Sequence, residues 1–547
     1  EMSASLVGSE MCIRDRFCSM KSFVRKLCAG LVCACGMSVS VYATDYYVAT
    51  DGNDMNVGSI EKPFATLSKA LKLVQPGDNI YLRGGEYNVT EDWIMDKSGN
   101  KTYAKVFDIK QKGNPSSPIC VIGYKNERPV LNMEQIKLTD RRVAVFYIAG
   151  SYWRFKNFEV VGTQVAIKGH TQSEVFRIEG GNNNILENID VHDGMAIGFY
   201  LVKGMNNLVL NCDAHDNYDG YSEGDSGNVD GFGGHANKET STGNIFRGCR
   251  AWNNGDDGFD LINCYASYII EYCWSFRNGY KPHSIESSGG NGAGFKSGGY
   301  GMGDIKKVPN PIPQHTVRYC LAYYNRQQGF YSNHHLGGLI FENNTAYKNP
   351  SNYNMLNRKS SNEAVDVPGY GHIIKNNLSL SPRNSGGFPQ HLINVDNTLS
   401  EIKNNSFAPN DLNLSESDFE SLNEQELMGS RKSDGSLPDI NFLRLTNHAN
   451  FRFSGMGCFI NEEAVDYSWI QEPAIVLENG VARIVGENSK SFNKFYVNGE
   501  EVSIENGIVD LTSMSGELNL KAISENGAVT TLITVSYTHL RAHETSA

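Results

Sequence analysis

Acidic residues recur in two segments of the sequence that share the pattern Asp-Gly-Phe. Asp230 precedes Gly-Phe in the first segment, and Asp256, Asp257 and Asp260 surround Gly-Phe in the second. If the segments occupy equivalent places in stacked coils, Asp230 and Asp257 lie about 4.8 Å apart. Carboxylates this close cannot all stay ionised alone, and Ca²⁺ is the hard cation that prefers many oxygen ligands. We therefore predict that these four residues bind calcium, although such residues also form ordinary turns.

The position of Lys296 suggests a base beside this acidic cluster. Lys296 follows Gly-Phe in the next segment, at the place that Asp260 occupies one coil earlier. The glycine-rich stretch 287–303 is expected to leave open space around the side chain, so that a ligand can approach. A calcium ion one coil away would lower the pKa of the amine towards the range of a general base. The sequence therefore predicts Lys296 as the catalytic base.

A cation beside an amine fits one reaction on acidic sugars. The C5 proton of a uronic acid lies next to an ionised carboxylate, and calcium on that carboxylate stabilises the charge left when the proton departs. Breakage of the 4-O-glycosidic bond by β-elimination then follows. The chain has a net charge of −12, which repels nucleic acid and any polyanion unless cations intervene. A polyanionic polysaccharide that contains uronic acid is therefore the predicted partner, with calcium as the bridging cofactor.

An internal repeat must position these residues. Short segments such as Leu-Asn-Cys-Asp-Ala at 210 and Arg-Gly-Cys-Arg-Ala at 247 recur through the chain, and the shortest spacings are 23 and 24 residues. Short apolar runs between them are broken by Asn, Asp and Gly. Short strands at this period predict an all-β solenoid, a right-handed parallel β-helix in which each unit is one coil.

Two columns of residues follow from the repeat. Four cysteines share one place in the unit and are predicted to be a buried column rather than a metal or redox site; they are Cys212, Cys249, Cys273 and Cys320. Gly-Phe recurs once per coil, and its Phe is predicted to point inward. The next residue should then point outward. These outward residues are Tyr200, Gly233, Asp260, Lys296 and Tyr331.

The ends of the chain differ from the repeat region. We assign 1–19 and 536–547 to artefactual extensions, 20–43 to a signal peptide, 44–461 to the β-helix and 462–535 to a small β-sandwich-like domain. The apolar run 27–41 is shorter than the roughly 20 residues that span a bilayer. We therefore expect a secreted or periplasmic monomer without a membrane span, with a lipoprotein anchored at Cys35 as the alternative. A short helix within 63–77 is expected to cap the first coil.

The acidic segments and Lys296 resemble polysaccharide lyase family 9, which contains pectate and rhamnogalacturonan lyases. The resemblance covers roughly 45–460 and rests on Asn-Val-Asp230-Gly-Phe, Asp256-Asp257-Gly-Phe-Asp260 and Gly-Ala-Gly-Phe-Lys296. It implies a β-helix of about ten coils, calcium bound by the four aspartates, Lys296 as the base and an acidic plant cell-wall polysaccharide as the partner.

Two other functions stay open at this point. Asn228-Val-Asp230 and Asp256-Asp257 also resemble elements of inverting polygalacturonases of glycoside hydrolase family 28, whose two carboxylates lie about 6.5–9.5 Å apart. A calcium-stabilised, non-catalytic carbohydrate-binding solenoid would explain the aspartates but not Lys296. Register alone offers Arg326, Tyr331 and His334 as substrate-binding residues. The sequence does not distinguish homogalacturonan from rhamnogalacturonan I, or endo from exo action.

Overall fold

The chain winds into a parallel β-helix, as the repeat predicts. The structure is a computed structural model, and the residues it describes are 43–98, 102–169, 172–223, 227–300, 308–383, 390–459, 474–478, 481–485, 491–504, 508–511, 514, 518–524 and 529–533. The proposed signal peptide, apart from Ala43, and both proposed extensions lie outside these residues.

One wall of the solenoid is a sheet of ten parallel strands, one from each coil. In chain order they are Tyr103–Ile109, Arg142–Ile148, Glu174–Glu179, Ile197–Lys203, Phe232–Gly234, Phe259–Asp260, Phe295–Lys296, Phe330–Tyr331, Ser351–Asn354 and Gln390–Ile393. Ten strands agree with the expected ten coils. We call this wall the Phe sheet, because its inward residues include the phenylalanines of the Gly-Phe repeat.

The remaining walls form a continuous sheet of 20 strands. They are Asp45–Val48, Asn79–Leu82, Gly85–Asn88, Ile119–Gly123, Pro129–Asn132, Trp153–Val161, Ile185–His192, Leu208–Leu210, Asp213–His215, Asn244–Arg247, Arg250–Trp252, Tyr268–Glu271, Trp274–Phe276, Thr316–Arg318, Leu321–Tyr323, Ile340–Glu342, Thr345–Tyr347, Ile373–Lys375, Leu378–Leu380 and Glu401–Lys403. A helix, Leu67–Leu71, begins after the Thr66 cap and buries its apolar side against the first coils, which confirms the predicted cap.

The register of the Phe sheet places the repeated phenylalanines directly above one another. From Phe199 to Phe330, neighbouring ring centroids are 4.8–5.0 Å apart and the ring planes differ by at most 13°. All of these rings are fully buried. The strand pairing also aligns Gly233, Asp260, Lys296 and Tyr331, the next residues along. The predicted order of outward side chains is therefore confirmed.

The four cysteines of the repeat are buried and free, as predicted. A second column, which the sequence analysis missed, consists of asparagines whose amides bond to one another from coil to coil. Asn278 is typical: its Oδ1 accepts from the backbone and the side chain of Asn254, and its Nδ2 donates to Asn325 Oδ1 and to the Ala251 carbonyl. These bonds satisfy polar backbone groups at the corners of the coils.

Replacing Asn278 with alanine should destabilise the solenoid beside the acidic turn. The substitution leaves several buried polar groups without partners, and each such group costs about 1–3 kcal/mol. We expect a lower thermal unfolding midpoint, measured by circular dichroism. Asn397→Ala, in an exposed turn, is the control and should unfold as the wild type does. Equal midpoints for the two variants would contradict a stabilising role for the asparagine column.

Outside the coils, a hairpin of Leu356–Ser360 and Glu363–Pro368 projects beside the C-terminal half of the Phe sheet. After the last coil, the chain crosses the large sheet through 3₁₀ turns at Glu416–Asp418 and Glu424–Met428 and the helix Asn447–Arg452. A separate 3₁₀ turn, Glu91–Trp93, lies near the start of the solenoid. Small antiparallel sheets follow, as expected for a C-terminal β-domain. Their strands are Ala474–Glu478, Val481–Val485, Phe492–Val497, Glu500–Val502, Ile508–Asp510, Asn519–Ser524 and Val529–Ile533.

Candidate active site

The acidic residues converge at the outer side of the Phe sheet. Carboxylate oxygens of Asp230, Asp257 and Asp260 lie within 4.8 Å of one another. Asp257 and Asp260 lie on either side of Gly258 in the sequence. A Cβ at Gly258 would lie 2.1 Å from Ser275 Oγ, so only glycine lets the backbone approach Ser275 this closely. Asp257 and Asp260 therefore converge across this turn.

Each carboxylate is positioned by a backbone amide. Asp230 Oδ1 accepts from the Asp257 amide at 3.0 Å. The amides of Asn291 and Ala293 donate to Asp256 Oδ1 and Asp257 Oδ1, both at 2.6 Å, and the Ile262 amide donates to Asp260 Oδ1 at 2.9 Å. The cluster is therefore fixed by two adjacent coils and by the glycine-rich segment after them.

Lys296 contacts this cluster directly. Its Nζ lies 3.0 Å from Asp257 Oδ2 and 3.0 Å from Asp260 Oδ2, and its side chain is only 10% exposed. The prediction that the surrounding glycines leave open space around Lys296 is therefore wrong. Gly290 instead packs against the Asp256 turn, where a Cβ would lie 2.3 Å from the Gly255 carbonyl oxygen, so these glycines permit close stacking of coils.

Burial and mutual repulsion govern the ionisation of the site. Burial, with the charge of Asp257, raises the pKa of Asp256 to about 8, and burial with neighbouring carboxylates also raises the pKa of Asp230. Burial opposes the charge of Lys296, but the carboxylates, Asp257 first, outweigh it and raise the pKa of the amine. This direction is opposite to the one expected beside a calcium ion.

The donor set fits a hard divalent cation. Carboxylate oxygens of Asp230, Asp257 and Asp260 lie together, and two of these residues contact the Lys296 ammonium group. Asp256, the fourth predicted ligand, is next in sequence to Asp257 but is not one of this group of three. Oxygen-only ligands of high charge suit Ca²⁺ better than metals that prefer nitrogen or sulfur. The residues present are therefore compatible with a calcium site.

The three candidate substrate residues lie at different places. Tyr331 is the strand neighbour of Lys296, and its hydroxyl is 3.0 Å from His334 Nε2. His334 Nδ1 lies 2.6 Å from Asp366 Oδ1 on the projecting hairpin. Arg326 is not in this group: its Nη2 donates to the Gly290 carbonyl behind the Asp256 turn. Tyr331 thus lies beside Lys296 and His334 contacts Tyr331, whereas Arg326 supports the glycine-rich segment.

Sequence reasoning missed two residues of the site. Asp366 lies in an insertion without repeat register, so the sequence gives no signal for its pairing with His334. His235 packs against Tyr200 with ring centroids 4.6 Å apart, and its buried Nε2 has no hydrogen-bond partner among the described residues. Burial lowers the pKa of His235 to about 4, so this ring is neutral. The sequence did contain a signal for His235, because a strand residue two positions after the outward Gly233 lies on the same face of the sheet.

Comparisons with known proteins agree with this geometry. A family model described as "Pel9A-like, right handed beta helix region" matches residues 46–377, and one described as "Rhamnogalacturonan lyase-like, C-terminal" matches residues 396–531. Pectate lyase L of Dickeya dadantii (strain 3937) is 32% identical over 425 residues, covering 77% of this chain and 88% of the relative. Pectate lyase PEL9 of Emericella nidulans is 27% identical over 432 residues, covering 74% and 93%.

Two solved structures are also similar. One named rhamnogalacturonan lyase is 50% identical, covers 76% of this chain and 100% of its own, and has a TM-score of 0.72. Pectate lyase Pel9A is 31% identical, covers 74% and 90%, and has a TM-score of 0.56. These relatives are lyases, which favours elimination over the hydrolase alternative. The family model of the β-helix region matches more than half of this chain. The chain therefore belongs to polysaccharide lyase family 9 and is a polysaccharide lyase.

Proposed function

We propose that the protein is a calcium-dependent lyase that cleaves galacturonate-containing pectin, either polygalacturonan or rhamnogalacturonan I, by β-elimination. The observation that carries this proposal is the contact of the Lys296 amine, at 3.0 Å, with two carboxylates of the acidic cluster. Relatives named pectate lyase and rhamnogalacturonan lyase support pectin as the substrate class. The acidic cluster supports the cofactor.

Asp230, Asp256, Asp257 and Asp260 are the residues that would hold calcium. Bound there, calcium would neutralise the substrate carboxylate and stabilise the negative charge that develops on loss of the C5 proton. The rigid backbone contacts of the four carboxylates keep them in place without substrate, so little reorganisation is needed during reaction.

Lys296 is proposed to remove the C5 proton. Its amine can act as a base only when unprotonated, and the surrounding carboxylates favour the protonated form. When calcium shares the negative charge of these carboxylates, they stabilise the protonated amine less. The pKa of Lys296 would then fall, and the amine could accept the proton. Breakage of the C4–O bond then leaves an unsaturated sugar at the new non-reducing end. The Asp257 and Asp260 contacts also hold the side chain in one direction.

Tyr331 is proposed to contact the sugar next to Lys296. His334 and Asp366 orient its hydroxyl through the two contacts described above. We expect Tyr331→Phe to lower kcat/KM roughly tenfold, the effect of about one lost hydrogen bond, while calcium affinity stays unchanged. Steady-state kinetics and calcium titration measure the two effects. Tyr496→Phe in the C-terminal domain is the control, and equal kinetics for both variants would remove Tyr331 from the substrate site.

Calcium affinity should depend on pH. Since the pKa of Asp256 is about 8 without a cation, this carboxyl carries a proton over much of the neutral range. Calcium binding must displace that proton, so we expect affinity to rise from about pH 6 to pH 8 and then level off. Isothermal titration calorimetry in buffers of different ionisation enthalpy should detect proton release. Affinity that is constant across this range would contradict a protonated cluster.

Product analysis on two polymers tests the function. Polygalacturonan and rhamnogalacturonan I are each incubated with the protein, with and without a chelator. Ultraviolet absorbance of an unsaturated product, present only with calcium, is the expected result, and mass spectrometry of the products distinguishes endo from exo action. Saturated products would indicate hydrolysis, and binding without cleavage would indicate a non-catalytic solenoid.

Localisation and domain limits are part of the same proposal. Among the residues that the structure describes, every helix is too short or too polar to cross a bilayer. The signal peptide predicted at 20–43 and the proposed charged polymer substrate support a secreted or periplasmic enzyme, and we propose that it acts as a monomer. We keep 44–461 as the β-helix region and 462–535 as the C-terminal β-domain.

A further inference from the structure

A second cluster of metal-ligating side chains lies on the large sheet, on a different wall from the acidic cluster. The sequence pattern Asp-x-His-Asp occurs twice on consecutive coils, as Asp190-Val-His192-Asp193 and Asp213-Ala-His215-Asp216. Strand pairing aligns His192 with His215. Their imidazole rings stack with centroids 4.7 Å apart and planes within 3°. The repeat therefore brings two histidines side by side on the outer surface of one sheet.

Each histidine is held by the aspartate that follows it. His192 Nδ1 lies 2.8 Å from Asp193 Oδ2, and His215 Nδ1 lies 2.7 Å from Asp216 Oδ2. A carboxylate on one ring nitrogen fixes the ring and leaves the other nitrogen as a ligand, the arrangement seen around histidines that bind metals. The two Nδ1 atoms are therefore in the supporting position, and the two Nε2 atoms are available as ligands.

Both Nε2 atoms face further carboxylates. His215 Nε2 lies 3.1 Å from Asp190 Oδ1, and His192 Nε2 lies 3.6 Å from Glu159 Oε2. Ligand atoms of Asp190, His192 and His215 all lie within 4.8 Å of one another. Asp190 Oδ1 is a buried oxygen that accepts no hydrogen bond of good geometry from the described residues. Two ring nitrogens and a carboxylate oxygen thus lie close together on one face of the sheet.

We propose that Asp190, His192 and His215 form a second metal site, which binds a divalent ion of the zinc class rather than calcium. Imidazole nitrogen suits Zn²⁺, Co²⁺, Ni²⁺ and Cu²⁺, whereas the acidic cluster on the Phe sheet offers only hard oxygen ligands. Glu159 is near enough to His192 to supply a fourth ligand, or water can fill that place. The two sites therefore select different metals by ligand chemistry.

Local packing supports the site on one side and competes with it on the other. Trp252, on the next coil, stacks against His215 with centroids 4.0 Å apart and limits movement of the ring. Arg128 pairs with Glu159 and lies 3.3 Å from Asp190 Oδ2. The Arg128 side chain is 47% exposed, so it can turn into solvent when a metal binds.

Binding requires a small adjustment and the loss of protons. Ligand atoms of a tetrahedral zinc site are roughly 3.4 Å apart, given Zn–N bonds of about 2.0–2.1 Å, so the two rings must tilt together. Each imidazole must be unprotonated at the nitrogen that binds the metal. Protons on these rings compete with the metal, so titrations belong at mildly alkaline pH. A bound ion would join two coils and stabilise their stacking.

The experiment is a zinc titration of the whole protein saturated with calcium, so that the acidic cluster is already filled. Calorimetry should give one zinc ion per chain and a raised thermal unfolding midpoint, and Co²⁺ should give the visible absorption of a tetrahedral site. His192→Ala and His215→Gln should each weaken zinc binding at least 100-fold, and Asp216→Asn about 10- to 100-fold. His448→Ala, which removes an exposed histidine elsewhere, should change nothing.

The outcomes separate this site from the lyase site. All of these variants should keep wild-type lyase activity in calcium, so failure of the zinc site leaves the proposed function untouched. If His192→Ala unfolds, His192→Gln replaces it in the same titration. Absence of zinc binding to the wild type, or binding that both the His215 and the Asp216 variants retain, overturns the proposal.

Discussion

Replacing Lys296 with alanine should abolish turnover while calcium binding survives. The amine lies against the acidic cluster and is the proposed proton acceptor, and loss of a general base lowers kcat by about 10²- to 10⁴-fold. The side chain contributes no oxygen ligand, and its removal takes away a competing positive charge. We therefore expect calcium affinity to stay equal or rise. Product absorbance gives the rate, and calorimetry gives the affinity.

Lys403→Ala is the matched control, because this lysine is 69% exposed on the other sheet. It should behave as the wild type in both measurements. Rates for Lys296→Ala should be taken in saturating calcium, where the buried carboxylates are not left without a counterion. A Lys296→Ala enzyme with full activity would mean that another group removes the proton, and it would end the role proposed for this amine.

Replacing Asp257 with asparagine should lower calcium affinity about 10²- to 10⁴-fold, corresponding to the roughly 3–5 kcal/mol lost when one partner of a buried charged pair is removed. Asp257 is fully buried, and its Oδ2 lies 3.0 Å from Lys296 Nζ and close to the carboxylates of Asp230 and Asp260, so a cation among them would lose one charged ligand. Activity at low calcium should disappear and return in part at high calcium. Chelation of the wild type should give the same loss.

Asp140→Asn serves as the control, since its side chain is 60% exposed and far along the sequence from the cluster. This variant should keep both calcium affinity and activity. If chelator leaves the wild type fully active, or if Asp257→Asn binds calcium normally, the calcium site is not at these carboxylates. The elimination would then need another way to neutralise the substrate carboxylate.

Much of the fold could be predicted because each coil repeats the same local chemistry. Phe259 and Phe295 occupy the same position in successive units and their rings stack. Once one such pair points inward, the other phenylalanines of the Gly-Phe repeat must point inward as well. The outward neighbours Asp260 and Lys296 follow from strand alternation. The asparagine column was equally visible as a repeated residue, and only its significance was missed.

The glycine-rich segment shows where sequence reasoning failed. Glycine permits both an open cavity and close approach of backbones, and composition does not distinguish them. At Gly290 and Gly294 the structure has close approach, with a Cβ reaching within 2.3 Å and 2.7 Å of neighbouring atoms. Lys296 is consequently enclosed rather than open, and its amine meets two carboxylates.

By itself, the sequence determined the period, the inward and outward faces and the identity of the acidic cluster, because these depend on order along one repeating strand. Only the tertiary structure decided which groups from different coils and insertions touch. The contact of Lys296 with Asp257, the pairing of His334 with Asp366 and the convergence of His192 with His215 are such contacts. Distances between side chains depend on turns, insertions and rotamers, which repeat spacing does not specify.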